Sequence, residues 1–128
     1  DAIEEAIADY YKLAVENSSF NIKPDKLMEV VNAGSDEYTI LSIRSAEDYA
    51  KGHIAGAMNI PFGNGMQESF DQIPTDKPVV VYCYSGQTSS QTMAILRLLG
   101  YEAYSLVGGM GKEGGSGWLG AGGPVVTD

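Results

Sequence analysis

Apolar residues along the chain follow two patterns that alternate. Short runs rich in β-branched and aromatic residues predict strands at residues 20–22, 38–43, 57–60, 79–82 and 102–106. Between these runs, apolar residues recur at helical spacing and predict helices over residues 1–16, 24–34, 45–52 and from residue 89 or 90 to 99, with an irregular or helical connection over 63–73. Strands that alternate with helices favour an α/β fold, because parallel neighbours need crossover connections. The pattern therefore predicts a small, mostly parallel sheet flanked by helices on both faces.

The only cysteine follows the most apolar of these predicted strands. Residues 79–82 are continuously apolar, which is typical of a central parallel strand buried on both faces. Cys83 therefore lies at the carboxyl end of this strand, where open α/β sheets bind ligands. The loop that follows is small and polar, and its backbone N–H groups can converge on one anion. Its residues are Tyr84, Ser85, Gly86, Gln87, Thr88 and Ser89.

The helix after this loop places its positive N-terminal end behind Cys83. Helix N-termini and neighbouring donors bring the pKa of a thiol from about 8.5 down to roughly 3.5–7.5. Cys83 is therefore a candidate nucleophile. The alternative is that Cys83 is a small apolar residue of the core, since free cysteines are often buried.

Composition and charge narrow the classes of partner. The chain has 128 residues, enough for one domain, and carries 17 acidic against 8 basic residues, a net charge of −9. An excess of this sign argues against nucleic acid or an anionic membrane surface as a partner. No apolar run approaches the ~18 residues of a transmembrane helix, so membrane insertion is not expected. One cysteine and one histidine exclude an internal disulfide and a zinc cluster of soft ligands.

Three segments of the chain resemble rhodanese-like domains. The family's active-site segment is similar to VVYCYSGQTSSQ, with the apolar helix and LGYEAYSLVGGM after it. Its other hallmark resembles residues 40–62, ILSIRSAEDYAKGHIAGAMNIPF, and a partial third match consists of the glycine pair 108–109, Trp118 and the ending GGPV. The resemblance runs from about Phe20 to Val126. We therefore interpret residues 1–19 as an N-terminal helical extension and residues 20–128 as a single rhodanese-like domain.

The resemblance implies a sulfurtransferase. Cys83 would attack a sulfane-sulfur donor, hold the sulfur as a persulfide cradled by the backbone N–H groups of residues 84–89, and pass it to a thiol or cyanide acceptor. That acceptor would be a small molecule or a protein, and no cofactor is implied. Many members of the family carry arginine or lysine five positions after the cysteine, where this chain has Thr88, and residues 84–96 contain no cation. The expected donor is therefore less anionic than thiosulfate.

Arg44 is a further candidate for substrate binding. It matches an arginine that the resemblance implies near the active loop, whereas Ser42 stands where an aspartate is usual in the family. With that carboxylate absent, we expect Glu47 or Asp48 to pair with Arg44.

Two functions of other classes remain open. A non-catalytic rhodanese-like binding or regulatory module is favoured by the departures at Ser42 and Thr88, both of which remove a charge usual in the family. A cysteine phosphatase or arsenate reductase of related fold would need an arginine six positions after the cysteine, where this chain has Ser89.

Four further expectations concern the rest of the chain. We expect His53 to be a hydrogen-bonded structural residue rather than an acid or base, and Trp118 to pack in the core or under a lid. The glycine-rich insertion at 111–117, GKEGGSG, is expected to form a mobile flap beside the pocket. The chain begins at Asp1 without methionine, and a loose similarity to exported bacterial rhodaneses favours export after removal of a signal peptide, with the cytoplasm as the alternative.

Overall fold

Five short strands form one sheet in the computed structural model, which describes residues 1–128. They are β1 (Asn21–Ile22), β2 (Thr39–Ser42), β3 (Met58–Asn59), β4 (Val79–Tyr82) and β5 (Ala103–Leu106). Their order across the sheet is β1-β5-β4-β2-β3, and every pair of neighbours runs parallel. The predicted α/β class is confirmed, with β4 at the centre of a wholly parallel sheet.

Five helices connect and flank the strands. They are α1 (Ala2–Glu16), α2 (Pro24–Asn32), α3 (Ala46–Lys51), α4 (Gln87–Leu98) and α5 (Gly117–Gly120), with 3-10 turns at Ser18–Phe20 and Met66–Gln72. Helix α4 begins at Gln87 rather than at the predicted residue 89 or 90, because Gly86 completes the turn into the helix with a φ of 105°. None of the helices combines the length and the apolar character that a membrane span requires.

The core lies on both faces of β4. Its residues Val79, Val80, Val81 and Tyr82 are each 0% exposed. Because side chains alternate along a strand, Val79 and Val81 point into one apolar layer together with residues of α4, and Val80 and Tyr82 point into a second layer with residues of α2 and α5. The predicted placement of helices on both faces is confirmed, and both layers end at the level of Cys83.

Helix α1 packs on the outside of α4. Its side chains Tyr10 and Ala14 reach the core, and the Tyr10 ring lies 5.6 Å from that of Phe20, centroid to centroid. Five apolar side chains of α1 remain exposed, Ile3, Ile7, Tyr11, Leu13 and Val15. The division into an extension of residues 1–19 and a domain of residues 20–128 stays a prediction.

Candidate functional site

The Cys83 sulfur lies at the centre of the loop between β4 and α4. The Gly86 N–H donates to Sγ at 3.0 Å and the Ser89 N–H at 3.4 Å, and Ser89 Oγ lies 3.4 Å from Sγ. Gly86 has a φ of 105°, in the left-handed region that favours glycine. The predicted convergence of backbone N–H groups is present, and the sulfur itself occupies it.

These hydrogen-bond donors lower the pKa of the Cys83 thiol. Burial acts to raise the pKa of Cys83, because a less polar environment disfavours the thiolate. The hydrogen bonds of the Ser89 hydroxyl and N–H to the sulfur, with the Thr88 hydroxyl and the Ser85 N–H nearby, outweigh burial and lower the pKa from its ordinary value to about 7. The N-terminus of α4 acts in the same direction. The thiolate is therefore far more populated at neutral pH than for an ordinary cysteine.

Access to the sulfur is narrow. Cys83 is only 2% exposed, whereas Tyr84 is 49% exposed and Ser85 and Gln87 are also exposed. A molecule that approaches Sγ from solvent therefore meets the side chains at the rim of the loop first.

A chain of hydroxyl groups continues from the sulfur into the protein. Ser89 Oγ lies 2.8 Å from Ser105 Oγ, Ser105 Oγ lies 3.3 Å from Ser90 Oγ, and the Ser90 hydroxyl donates to the Gly86 carbonyl at 2.7 Å. Neither Ser90 nor Ser105 was identified from the sequence. The available signal was a polar residue at the third position of the apolar strand Ala103–Leu106, since a buried hydroxyl needs a partner.

Arg44 contacts the Gly52 carbonyl and the ring of Tyr84, the residue that follows Cys83. Its Nη1 donates to the Gly52 carbonyl at 2.8 Å, its guanidinium carbon lies 5.2 Å from the centroid of the Tyr84 ring, and its Nε is buried without a partner. No carboxylate lies within 4.0 Å of the guanidinium, so the predicted pairing with Glu47 or Asp48 is wrong. Arg44 thus supports the ring of a rim residue.

Asp48 is hydrogen-bonded to Tyr84 instead of paired with Arg44. The Tyr84 hydroxyl donates to the Asp48 carboxylate and accepts a hydrogen bond from the Ser45 N–H at 3.1 Å. Ser45 also caps α3, since its Oγ accepts from the Asp48 N–H at 3.1 Å, as its position three residues before Asp48 predicts. The Tyr84 hydrogen bond holds the pKa of Asp48 below its ordinary value. Tyr84 is therefore fixed at the rim by α3 and Arg44 together.

The segment after β5 packs against the Cys83 loop and donates hydrogen bonds to its backbone carbonyls. The Met110 N–H donates to the Cys83 carbonyl at 2.8 Å and the Gly111 N–H to the Tyr84 carbonyl at 3.0 Å. At Gly109, where φ is 59°, an added Cβ would lie 2.6 Å from the Cys83 carbonyl oxygen, so only glycine fits. The insertion at 111–117 begins at these contacts and closes on itself, since the Lys112 N–H donates to the Ser116 carbonyl. The mobility of this insertion stays a prediction, and we expect it between Lys112 and Ser116, in the middle of the turn.

The other candidate residues near the loop are structural. His53 is 2% exposed, its Nδ1 lies 2.8 Å from the Tyr49 carbonyl oxygen, and its ring stacks on that of Tyr49 at 3.8 Å, as expected of a hydrogen-bonded structural residue. Trp118 is 0% exposed in the core, and its Nε1 donates to the Pro124 carbonyl at 2.8 Å. Nowhere in the chain do three His, Cys, Asp or Glu side chains converge as possible metal ligands. The groups that converge at this end of the sheet are a thiol and hydrogen-bond donors.

Comparisons with known proteins agree with this geometry. Residues 23–112 match the family model described as Rhodanese-like domain. An uncharacterized protein of Bacillus subtilis, YqhL, is 36% identical over 88 residues, which are 68% of this chain and 69% of that protein. The thiosulfate sulfurtransferase GlpE of Coxiella burnetii is 35% identical over 74 residues, which are 57% of this chain and 68% of that protein. The crystal structure of a rhodanese-related protein from Thermoplasma volcanium superposes with a TM-score of 0.72 at 28% identity, covering 84% of this chain and 98% of the other.

Proposed function

The chain belongs to the rhodanese-like domain family, and from that premise we propose that Cys83 carries sulfane sulfur as a persulfide and passes it to a thiol or cyanide. The observation that carries the proposal is the set of hydrogen bonds on Sγ from Gly86 and Ser89, which favour the thiolate. A thiolate is the nucleophilic form of cysteine, and one with a pKa of about 7 is both abundant and reactive at neutral pH.

The transfer proceeds in two displacement steps. In the first, the Cys83 thiolate attacks the outer sulfur of the donor. The new Sγ–S bond forms as the sulfur–sulfur bond of the donor breaks, and the electron pair of that bond leaves with the rest of the donor. In the second, the thiolate of an acceptor, or cyanide, attacks the outer sulfur of the persulfide. Cys83 leaves as a thiolate, and the acceptor departs as a persulfide or as thiocyanate.

In both steps the loop between β4 and α4 stabilises the negative charge that Cys83 carries as a thiolate. The N–H groups of Gly86 and Ser89 and the Ser89 hydroxyl stabilise the sulfur anion before the first step and after the second. The exposed side chains of Tyr84, Ser85 and Gln87 stand at the rim, where we expect the outer sulfur and the donor or acceptor to make contact. The residues proposed to bind substrate are Tyr84, Ser85, Gly86, Gln87, Thr88 and Ser89, together with Arg44, whose guanidinium lies against the Tyr84 ring.

The donor that suits this loop is less anionic than thiosulfate. Thr88 supplies a hydroxyl in place of a cation, residues 84–96 are uncharged, and the guanidinium of Arg44 is held by the Gly52 carbonyl and the Tyr84 ring. A persulfide of a small thiol or of a protein carries less charge than the thiosulfate dianion. The name of the relative from Coxiella burnetii favours thiosulfate for that protein, so the two donors need to be compared directly.

Intact-mass measurement after incubation with sulfur donors tests the proposal. Because Cys83 is the only cysteine of the chain, a gain of one sulfur atom that is absent from Cys83→Ser identifies the carrier without mapping. We expect that gain with a small-molecule persulfide, and its loss on addition of cyanide. A protein that stays folded and unmodified with every donor, thiosulfate included, would refute the proposal.

A non-catalytic binding module is the second candidate. It is favoured by the 2% exposure of Cys83, since a sulfur this enclosed contacts few molecules from solution. The mass measurement separates the two, because a binding module has no use for a persulfide and would remain at its original mass.

A further inference from the structure

Two adjacent serines at the start of α4 behave differently. The Ser90 hydroxyl donates to the Gly86 carbonyl, four residues before it, at 2.7 Å. This is the usual arrangement for serine within a helix. Ser89 makes no such bond to the carbonyl of Ser85, and its Oγ instead lies between Cys83 Sγ at 3.4 Å and Ser105 Oγ at 2.8 Å. Ser89 is the third residue of α4, so Ser85, four residues before it, lies outside the helix and offers no helical carbonyl. A neighbour from another element therefore orients the Ser89 hydroxyl.

Ser105 is the neighbour in position to do so. It lies on β5, paired in register with Val81 on β4, and is 1% exposed. Its hydroxyl has two partners, Ser89 Oγ at 2.8 Å and Ser90 Oγ at 3.3 Å. Leaving a buried hydroxyl without a hydrogen bond is costly, so this contact is strongly favoured in the folded protein.

We propose that Ser105 is a positioning residue, which holds the Ser89 hydroxyl against the Cys83 sulfur and so favours the thiolate. The inference rests on the proposed function, since Cys83 must act as a thiolate for the effect to matter in sulfur transfer. Without Ser105, the Ser89 hydroxyl loses its partner at 2.8 Å and is free to turn away from Sγ, so the sulfur loses one of its hydroxyl donors. The Ser105 hydroxyl also no longer polarises the Ser89 hydroxyl, which weakens the hydrogen bond from Ser89 to the sulfur.

The hydroxyl chain can serve both protonation states of the sulfur. When Cys83 is a thiolate, Ser105 donates to Ser89 and Ser89 donates to Sγ. When Cys83 is a thiol, it donates to Ser89, Ser89 donates to Ser105, and Ser105 donates to Ser90. In both states Ser90 donates to the Gly86 carbonyl, so every hydroxyl donates once and no buried donor is left unpaired.

Charged side chains around the sulfur are engaged elsewhere. Arg44, in the turn between β2 and α3, faces the Tyr84 ring, and Asp48 on α3 accepts a hydrogen bond from the Tyr84 hydroxyl. On α4, Arg97 donates to the Ala103 carbonyl at 2.8 Å. Neither β3 nor residues 105–111 carry a charge, and the hydroxyl of Tyr104 on β5 bonds to Glu102. The hydrogen bonds on Sγ are therefore the contacts that a variant at Ser105 can change.

The pH dependence of alkylation by a small uncharged reagent tests the proposal. We expect a midpoint near pH 7 for the wild type, because the pKa of Cys83 is lowered to about 7. Ser105→Ala should raise the midpoint by about 0.3–1 pH unit, and alkylation at a pH below both midpoints should slow by roughly 2- to 10-fold. Ser105→Thr keeps a hydroxyl and should restore most of the shift. Ser42→Ala, a matched control that removes another buried strand serine, should leave the midpoint unchanged.

A double-mutant cycle with Ser89→Ala separates positioning from a general structural effect. Ser89→Ala alone should raise the midpoint by about 1–2 pH units, since it removes a hydrogen bond to a charged group. In that background Ser105→Ala should add no further shift. An unchanged midpoint for Ser105→Ala in the wild-type background, or an equal shift in both backgrounds, would overturn the proposal. Alkylation requires no sulfur transfer, so this result stands whether or not a persulfide forms.

Discussion

Replacing Thr88 with arginine tests whether the loop favours a sulfur donor of low charge over a dianion such as thiosulfate. Thr88 is the second residue of α4, is partly buried, and its hydroxyl is among the groups that lower the pKa of Cys83. An arginine at this position brings a cation toward the sulfur from the positive end of α4. A dianion such as thiosulfate would be attracted far more than a persulfide of low charge.

The size of the effect follows from the distance and the cost of ordering. A cation about 4 Å from one unit of negative charge gains roughly 4 kcal/mol at an effective dielectric constant of about 20. Fixing the long side chain costs about 1.5–2 kcal/mol, and its desolvation removes some of the remainder. We expect about 1–2 kcal/mol to survive, which is roughly a 5- to 30-fold rise in kcat/KM at about 1.4 kcal/mol per factor of ten. The gain should fall as salt rises, because exposed charges are screened over about 8 Å at physiological ionic strength.

The assay is the transfer of sulfur from thiosulfate to cyanide over a range of salt concentrations, with a small persulfide as the second donor. Thr88→Gln supplies a long neutral side chain at the same position. Gln91→Arg places the cation on the same face of α4, about 4.5 Å farther along its axis. An efficient wild-type reaction with thiosulfate, together with no gain and no salt dependence in Thr88→Arg, would show that the loop does not select a less anionic donor. An equal gain in Thr88→Gln would show that charge is not the cause.

Two further predictions concern the segment that supports the loop. Gly109→Ala should lower the free energy of unfolding in urea by about 2–4 kcal/mol, because the added Cβ meets the Cys83 carbonyl oxygen at 2.6 Å in a left-handed conformation. Gly34→Ala, with a φ of 67° and nothing within 4 Å of the added Cβ, is its matched control and should lose about 1 kcal/mol; equal losses would contradict the close approach. In amide hydrogen exchange, Met110 and Gly111 should be protected by their bonds to the loop carbonyls while Glu113 and Gly114 exchange quickly. Uniform exchange across residues 110–117 would contradict both predictions, that Met110 and Gly111 are held by the loop carbonyls and that the turn beyond them is mobile.

The parts of the site that follow from neighbouring residues could be predicted from the sequence. Four apolar residues before Cys83 were enough to identify β4 and to place the cysteine at its end, because such runs have few alternatives in an α/β fold. The start of α4 was predicted two or three residues late. Gln87 and Thr88 are polar and resemble loop residues, whereas the turn at Gly86 already directs the chain into the helix.

The contacts that cross between elements could not be predicted in this way. Arg44 has two acidic residues close by in sequence, yet its partners are the Gly52 carbonyl and the Tyr84 ring, which depend on how α3 meets the loop. Ser105 lies sixteen residues after Ser89, and their contact depends on the packing of α4 against β5. No periodicity in the sequence carries that information.

The outermost strands of the sheet, β1 and β3, are only two residues long. An edge strand exposes unpaired N–H and C=O groups that can template pairing with a strand of another molecule, which is a common route to aggregation. Edges this short offer too few hydrogen bonds for such a pairing to persist, and a net charge of −9 adds repulsion between copies. The sides of the sheet therefore favour pairing with another strand far less than long, uncharged edges would.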